Sequence, residues 1–552
     1  MSDVQTHYNG NGLLPIITCL KRYRLLILAS GAGLLCGLSS PGPGLWPLAW
    51  VGLSPVFYLL LHHKALKKRD ALLWGLCFGA AFHAVYMSWL LALHPMAWLG
   101  LGSALSLLTA GAAWLIMIIS GGIGFGLLFL ILAWLIKSLQ NKLPSALFVL
   151  LTLIAFPTVW VLWFECYQLN AFWIPWALLD YTQMGLPLMR ALVSISGSSH
   201  SVGWVLVFSN LLFAFGLPAF FEGAAFKSQC LQYSKHARTI SIFLMLLFAL
   251  TWLSGKLITG TANHKPNNLP LAVAGYQGGV EIGVIKTGKQ LETESEKAYL
   301  QPLELARYSK GQLVVLPEEG IVPEWVDEAA VFKSPSLKRL QALCESRGIA
   351  ILTGLGSYRE VVLPNGERIS KAYNATVLLQ QGSSPQFYNK TRLVPMGETV
   401  PYLTPSLANA LLKSWHIPYQ FVFESGNNQR PLHLKSPHSK PLKIGSLICF
   451  ELLYPELSRI YRKQGVSLLV NSSNLGWFHN HFWLNEQFVA IGQARAAENQ
   501  TPLVISANTG PTAIILKDGR ILRRSKSAQQ AWVFSWETPK ANSKKAFDGS
   551  TT

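Results

Sequence analysis

Cys449 stands at the end of Lys443-Ile-Gly-Ser-Leu-Ile448, an apolar run that reads as a buried strand, and Phe450 and Glu451 follow it. Two further runs end in residues able to serve a thiol. Leu313-Val-Val-Leu316 leads into Pro317-Glu318-Glu319, and Phe387-Tyr-Asn389 leads into Lys390, continuing Thr-Arg-Leu-Val-Pro-Met-Gly-Glu398. Acyl transfer through cysteine needs a base to make the thiolate and return its proton, and a cation or N–H donors to hold the oxyanion. A glutamate and a lysine supply both. A lysine beside the thiol favours the thiolate. Neighbouring carboxylates oppose it and raise one another's pKa, which lets one of them act as a base near neutral pH. Singly, such residues are more often a turn carboxylate, a surface lysine and a packed or disulfide-bonded cysteine, so the reading rests on their joint occurrence.

The elements that must position them form an alternating pattern. Short apolar or β-branched runs recur at 271–274, 313–316, 349–353, 375–379, 444–448, 467–470 and 503–506, with helical candidates at 290–309, 335–347 and 482–498. Alternation of this kind predicts an α/β domain with buried sheets and a site at strand ends.

The first half has another texture. The chain has 552 residues, of which 51% are hydrophobic and 13% charged, an unusual balance for a soluble protein. Most of this bias falls before residue 260, where apolar stretches recur at 24–41, 45–61, 71–93, 103–136, 146–163, 200–220 and 239–258. Roughly 17 to 25 residues of helix cross about 30 Å of hydrocarbon, so these read as seven spans. Gly121-Gly-Ile-Gly-Phe-Gly126 makes the overlong fourth stretch a candidate for two spans with a turn. Charge placement argues against the split: Lys21, Arg22 and Arg24, Lys64 to Arg69, Lys137 and Lys142, and Lys227 to Arg238 all fall on one side only if the stretch is single. The amino terminus is then cytoplasmic, and everything beyond about 259 lies outside. Residues 25–38 also fit a cleaved signal peptide, but six more spans follow.

The net charge of +19 is accounted for by cytoplasmic loops and lipid headgroups, and nucleic acid is not an expected partner. Phe164 to Gly185, with Phe172-Trp-Ile-Pro-Trp176 and Tyr181, reads as an aromatic segment at the membrane interface. Of seven cysteines only Cys344 and Cys449 lie in the outer domain, and an exported domain could pair them. His479 and His481 lack a third ligand at metal spacing.

Pro317-Glu318, Tyr388-Asn-Lys390 with Leu393-Val-Pro-Met-Gly-Glu398, and Ile448-Cys-Phe-Glu451 resemble the three signatures of the nitrilase (carbon-nitrogen hydrolase) superfamily, whose membrane-anchored branch is apolipoprotein N-acyltransferase. Val273-Ala-Gly-Tyr-Gln-Gly278, Asn471 to Phe478, Gln493 to Glu498 and Ala507-Asn-Thr-Gly510 are similar to other parts of that catalytic domain. Ser40 to Trp50, Ile174-Pro-Trp176 and Tyr181-Thr-Gln183 are similar to the membrane half of the branch.

The resemblance implies an αββα sandwich outside the membrane and four segments: 1–23 cytoplasmic, 24–260 transmembrane, 261–540 catalytic and a polar tail at 541–552. It selects Glu318, directly after the proline, over Glu319 as base, with Cys449 as nucleophile. Lys390 and the backbone N–H of Phe450 would hold the oxyanion, and Glu398 and Glu451 would orient Lys390 or support proton transfer. It implies no metal or soluble cofactor. The donor would be a phospholipid, phosphatidylethanolamine in particular, and the acceptor the N-terminal diacylglyceryl-cysteine of an apolipoprotein. The enzyme would be a monomer of the bacterial inner membrane with its catalytic domain on the periplasmic side. Departures are Gly279 to Lys286 where the branch has an Asn and a Pro, Phe450 where it often has Tyr, Glu498 to Pro502 without the usual Arg, and a tail after Ala531 too short and polar for the eighth span. Two other functions compete: a membrane-tethered amidase using the same residues, and a scaffold with an inactive nitrilase-like domain.

Overall fold

A computed structural model describes the chain from residue 13 to 534, apart from 64–65, 97–99, 141, 168–173, 217–268, 270, 281–292, 294–295, 307–310, 319–324, 363, 365, 415–421, 428, 437–438 and 526–530. Two compact units result. One gathers the described residues up to Ser88 with Gly111–Cys166 and those from Gly203; the other gathers Trp89–Ala110, Tyr167–Val202 and the rest of the described chain.

The helical elements are α1 (Leu13–Leu38), α2 (Ser54–His62), α3 (Lys68–Tyr86), α4 (Ser103–Leu139), α5 (Ser145–Tyr167), α6 (Pro187–Ser196) and α7 (His200–Gly216). The fourth predicted stretch is one unbroken helix of 37 residues, about 55 Å long at 1.5 Å per residue. Its glycines are contact points and not a turn. A Cβ on Gly79 of α3 would lie 2.4 Å from the Gly121 carbonyl oxygen, and one on Gly75 would lie 2.4 Å from that of Phe125. Small residues let apolar helices approach this closely where lipid offers no hydrophobic drive. Gly33 of α1 does the same against Phe78 of α3. On its other faces α4 exposes Leu108, Ile116 and Trp134, the apolar surface expected of a membrane domain.

Three stretches depart from simple spans. The predicted span 45–61 is a 3-10 turn, Trp46–Trp50, followed by the nine-residue α2, with Gly52 packed where a Cβ would meet the Cys36 sulfur at 2.7 Å. The third stretch leaves its α-helix at Tyr86 and continues as a 3-10 helix, Ser88–Leu93. Before α7, α6 reverses at Gly197, whose φ of 71° is a left-handed cap, and the two helices meet at 120°. Among the described residues α4 and α5 are each long and apolar enough to cross a membrane. The predicted span 239–258 lies outside the described residues.

The α/β unit contains two sheets. The first orders β13 (Ala531–Phe534), β1 (Val273–Gln277), β2 (Leu313–Val315), β4 (Ala350–Val362), β5 (Arg368–Gln380) and β6 (Gln386–Asn389), with β3 (Val326–Asp327) against β4. The second orders β12 (Ile521–Arg524), β11 (Ala513–Ile515), β10 (Leu503–Ala507), β9 (Leu468–Ser473), β8 (Ser439–Ile448) and β7 (Leu432–Ser436). In each sheet three central strands run parallel, β1-β2-β4 and β8-β9-β10, so their carboxyl ends open on one edge.

The sheets face each other closely. Ser506 Oγ donates to the Val315 carbonyl at 3.0 Å, Ser472 Oγ donates to that of Leu316 at 2.9 Å, and a Cβ on Gly275 would lie 2.9 Å from a Thr512 methyl. Helix Pro335–Arg347 covers the first sheet, packing Leu337, Leu340, Leu343 and Cys344 on Ile351, Val377 and Leu379. Helices Pro455–Lys463 and Phe482–Asn499 cover the second, through Tyr461 over Gly445 and Gly492 against Ile505. The layers are αββα, as the resemblance implies.

The two compact units are not consecutive along the chain. Trp89–Ala110 and Tyr167–Val202 belong with the α/β unit. Trp176 to Met184, expected as an interfacial belt, is buried throughout. Trp176 Nε1 donates to Gln487 Oε1 at 2.6 Å and Trp89 Nε1 donates to the same oxygen at 3.0 Å, so this segment is packed against helix Phe482–Asn499. An indole placed at a membrane interface and one placed in a core have the same composition, and only the buried acceptor distinguishes them.

Candidate active site

Glu318, Lys390 and Cys449 each follow a strand, β2, β6 and β8, and the fold brings them together. Carboxyl ends of parallel strands collect functional residues because each strand there hands its chain to a loop. Lys390 continues the β5–β6 ladder by donating its backbone N–H to Asn374 at 2.8 Å. Its ammonium is 1% exposed and lies 3.1 Å from Glu318 Oε1 and 2.9 Å from Glu398 Oε1. Asn374 Nδ2 donates to the same two oxygens, at 2.7 and 2.8 Å, and the Asn474 N–H reaches Glu318 Oε2 at 3.1 Å. Glu398 is pinned from its other side by the Val394 N–H at 2.8 Å. Two carboxylates, one ammonium and one amide thus form a closed, buried array.

Cys449 is half-buried and has φ of +47°. A non-glycine residue in the left-handed region is uncommon and costs roughly 1–3 kcal/mol. The chain passes there from β8 into a tight 3-10 turn, Cys449–Leu453, lifting the thiol clear of the strand. The Glu318 carboxylate and the Asn474 backbone stand beside the thiol and act on its ionisation. Burial, then the Glu318 charge, pushes its pKa well up, with Lys390 opposing. At rest the sulfur is a thiol, and a base must take its proton. Burial works against the Lys390 charge, but Glu318 and Glu398 outweigh it and hold the ammonium firmly protonated.

Glu451 points elsewhere. Its Oε1 accepts from the Thr391 N–H (2.7 Å), the Thr391 hydroxyl (2.8 Å), the Arg392 N–H (3.1 Å) and the Tyr388 hydroxyl (2.8 Å), while Oε2 accepts from the Ile448 N–H (2.8 Å). It therefore ties the loop carrying Lys390 to the turn carrying Cys449. Burial raises its pKa, and the Ile448 and Thr391 N–H groups oppose the rise. Its lone pairs are occupied by donors from both segments. Phe450 is buried, its ring 5.4 Å from that of Tyr454 and inclined to it by 69°, and the Arg392 guanidinium sits over the Tyr454 ring at 5.4 Å. Glu319 lies outside the described residues.

Cys344 and Cys449 are both free. Cys344 is in the core under helix Pro335–Arg347, its sulfur 3.6 Å from the Leu379 carbonyl, so the expected option of a disulfide is not taken. His479 Nε2 lies 3.2 Å from the Pro95 carbonyl oxygen and donates to it. His481 begins helix Phe482–Asn499.

Residues 273–531 match the carbon-nitrogen hydrolase family, and residues 32–212 match the apolipoprotein N-acyltransferase N-terminal domain. The chain belongs to the apolipoprotein N-acyltransferase family. It is 29% identical over 517 residues to the apolipoprotein N-acyltransferase of Azotobacter vinelandii, covering 93% of this chain and 89% of that one. To that of Pseudomonas syringae pv. tomato it is 29% identical, over 90% and 87%. To that of Geobacter metallireducens it is 27% identical, over 94% and 90%.

Within this family site, sequence reasoning missed three residues that hold it together. Asn374 lies inside β5, and nothing in its neighbours separates it from a solvated strand residue. Asn508 donates to the Asn474 side chain at 3.3 Å and to the Val280 carbonyl at 2.7 Å. Arg495 sits in a helix whose polar residues are nearly all buried. An arginine among buried alanines, Ala494 to Ala497, was the available signal.

Proposed function

We propose that this chain transfers an acyl chain from the sn-1 position of a phospholipid, phosphatidylethanolamine in particular, to the α-amino group of the N-terminal diacylglyceryl-cysteine of apolipoproteins. Supporting this reading, the Glu318–Lys390–Cys449 array occurs in a chain whose other half is apolar helix. Glu318 takes the Cys449 proton, and the sulfur attacks the ester carbonyl. The tetrahedral oxyanion is held by Lys390 and the Phe450 N–H. As the C–O bond breaks, Glu318 returns the proton to the leaving glycerol oxygen, and a lysophospholipid departs from an acyl thioester. The acceptor amine then attacks the thioester carbonyl and gives its proton to Glu318. The C–S bond breaks, an amide is left, and the proton returns to sulfur.

Glu398 keeps Lys390 aimed at the oxyanion, and Glu451 fixes the distance between lysine and thiol. Both substrates are lipids, and removing either from a bilayer costs about 0.8 kcal/mol per CH₂ exposed, so seven spans holding a catalytic domain at the periplasmic face of the inner membrane fit the task. One site used in turn by donor and acceptor fits a single copy of the chain. The segments 24–260 and 261–540 carry these two tasks, flanked by 1–23 and 541–552.

The test is incubation of wild type and Cys449→Ser with acyl-labelled phosphatidylethanolamine, followed by a diacylglyceryl peptide. A hydroxylamine-labile label on wild type alone, moving to the peptide amine, is the expected result. Ammonia release from small amides without label points to an amidase instead. No label and no ammonia points to a scaffold.

A further inference from the structure

Arg495 is among the largest fully buried side chains, and its donors serve two separate parts of the chain. Nε donates to the Leu452 carbonyl at 3.0 Å and Nη2 to the Leu453 carbonyl at 3.3 Å. These are the closing residues of the turn that Cys449 opens. Nη2 also donates to the Tyr181 hydroxyl at 2.6 Å, and Nη1 pairs with Glu498. The other Glu498 oxygen accepts the Ser199 N–H at 2.8 Å. Next to Tyr181 and Ser199 stand Asp180 and His200, which pair with each other at 2.5 Å, so the two ends of that segment are closed on one another. The guanidinium therefore bridges the nucleophile turn and a segment some 270 residues earlier, all within one compact unit.

Burying a guanidinium is expensive, by several kcal/mol per ion. Apolar side chains would pack a core of this kind at lower cost, and hence the charge calls for a geometric reason. The Cys449 turn supplies one. It starts at a residue of φ +47°, and a strained start relaxes unless the turn is held at both ends. At the first end Glu451 accepts the Ile448 N–H. At the second end Arg495 supplies donors to two carbonyls.

We propose that Arg495 is a positioning residue for the nucleophile, its guanidinium holding the Cys449–Leu453 turn in register with the Leu179–His200 segment and so setting the angle at which the sulfur meets an acyl ester. The acyl-ester part rests on the function proposed above, whereas the positioning of the thiol does not.

The experiment uses the full chain in phosphatidylethanolamine vesicles, with Arg495→Lys and Tyr181→Phe beside wild type. Two rates are read: alkylation of Cys449 by iodoacetamide, followed by mass spectrometry of its peptide, and thioester formation against lipid concentration. Arg495→Lys keeps the charge opposite Glu498 and loses the planar fork. It is expected to slow alkylation about 10-fold and kcat for thioester formation about 100-fold, with KM within about two-fold, the pattern of a displaced reacting group. Tyr181→Phe removes one hydrogen bond and no packing, and is expected to lower both rates about 3-fold to 10-fold at unchanged melting temperature. A purely structural role lowers the melting temperature and leaves both rates per folded molecule at wild type, which overturns the proposal. If Arg495→Lys does not fold, Tyr181→Phe decides alone: reduced rates support the proposal and wild-type rates overturn it. If wild type forms no lipid thioester, the function fails, and the alkylation rates still judge Arg495.

Discussion

The helical unit and the α/β unit bury polar atoms in opposite ways. In the helical unit, helices meet through glycine backbone, Gly33 on Phe78, Gly75 on Phe125 and Gly79 on Gly121. A buried polar tie there, Asn210, is neutral, receiving the Leu53 N–H at 2.8 Å and donating to the Ala49 carbonyl at 2.9 Å. In the α/β unit Glu318, Lys390, Glu451, Arg495 and Glu498 are all buried, and each has several partners. Helices in lipid satisfy their own backbone, so shape alone specifies their contacts. Acyl transfer needs charge, and a buried charge persists only when its lone pairs or protons are matched.

Replacing a charge in the α/β unit should therefore cost more than adding volume in the helical one. Glu318→Gln should have the largest effect, lowering thioester formation roughly 10³-fold, the scale of losing a general base. The same change removes a negative charge that pushes the Cys449 thiol up. Its alkylation profile should therefore shift to lower pH even as transfer is lost. Lys390→Met, which removes an opposing positive charge, should shift the profile to higher pH. In wild type the alkylation rate should still be rising above pH ~8.5, where an ordinary cysteine is half ionised.

Glu451→Gln comes next. It sets an amide NH₂ or a single oxygen against donors that now share a carboxylate, and should lower stability by about 3 kcal/mol, read as an early thermal transition. A stable but inactive Glu451→Gln protein would instead make Glu451 a proton carrier. Gly75→Ala places a methyl against the Phe125 carbonyl. It should cost about 1–3 kcal/mol and leave Cys449 alkylation per folded molecule unchanged; a changed rate would mean that helix spacing is felt at the thiol. Cys344→Ala should be smallest, about 1 kcal/mol, with no effect on transfer and none of added reductant.

Much of the α/β unit is legible along the chain because a buried strand must be apolar. The runs at 313–316, 444–448 and 503–506 coincide closely with β2, the end of β8 and β10, and the helices expected at 335–347 and 482–498 are present. The runs at 349–353 and 375–379 mark only one end of β4 and β5, which pair over 13 residues each, from Ala350 opposite Gln380 to Val362 opposite Arg368. Their far half leaves the core, so its polar residues hid the strand. No strand is expected over 531–534, yet Ala531 to Phe534 pair with β1; four residues are too few to show a period. In the helical half, hydropathy located the apolar stretches but not the break at Gly52 or the end of α3 at Tyr86. A helix interrupted by a tight contact has the same composition as a continuous one.

By itself the sequence determined the chemical inventory: a thiol, a carboxylate and an ammonium at three strand ends, and a half of the chain suited to lipid. Strand ends can be read from sequence because burial imposes a local pattern. Only the tertiary structure decided that Asn374 bridges two glutamates, that Glu451 joins the Lys390 loop to Ile448, that Trp176 and Tyr181 are buried, and that Arg495 reaches the Leu452 and Leu453 carbonyls. Those are matches between donors and acceptors far apart in the chain. Distant pairing leaves no mark on the neighbours of either residue.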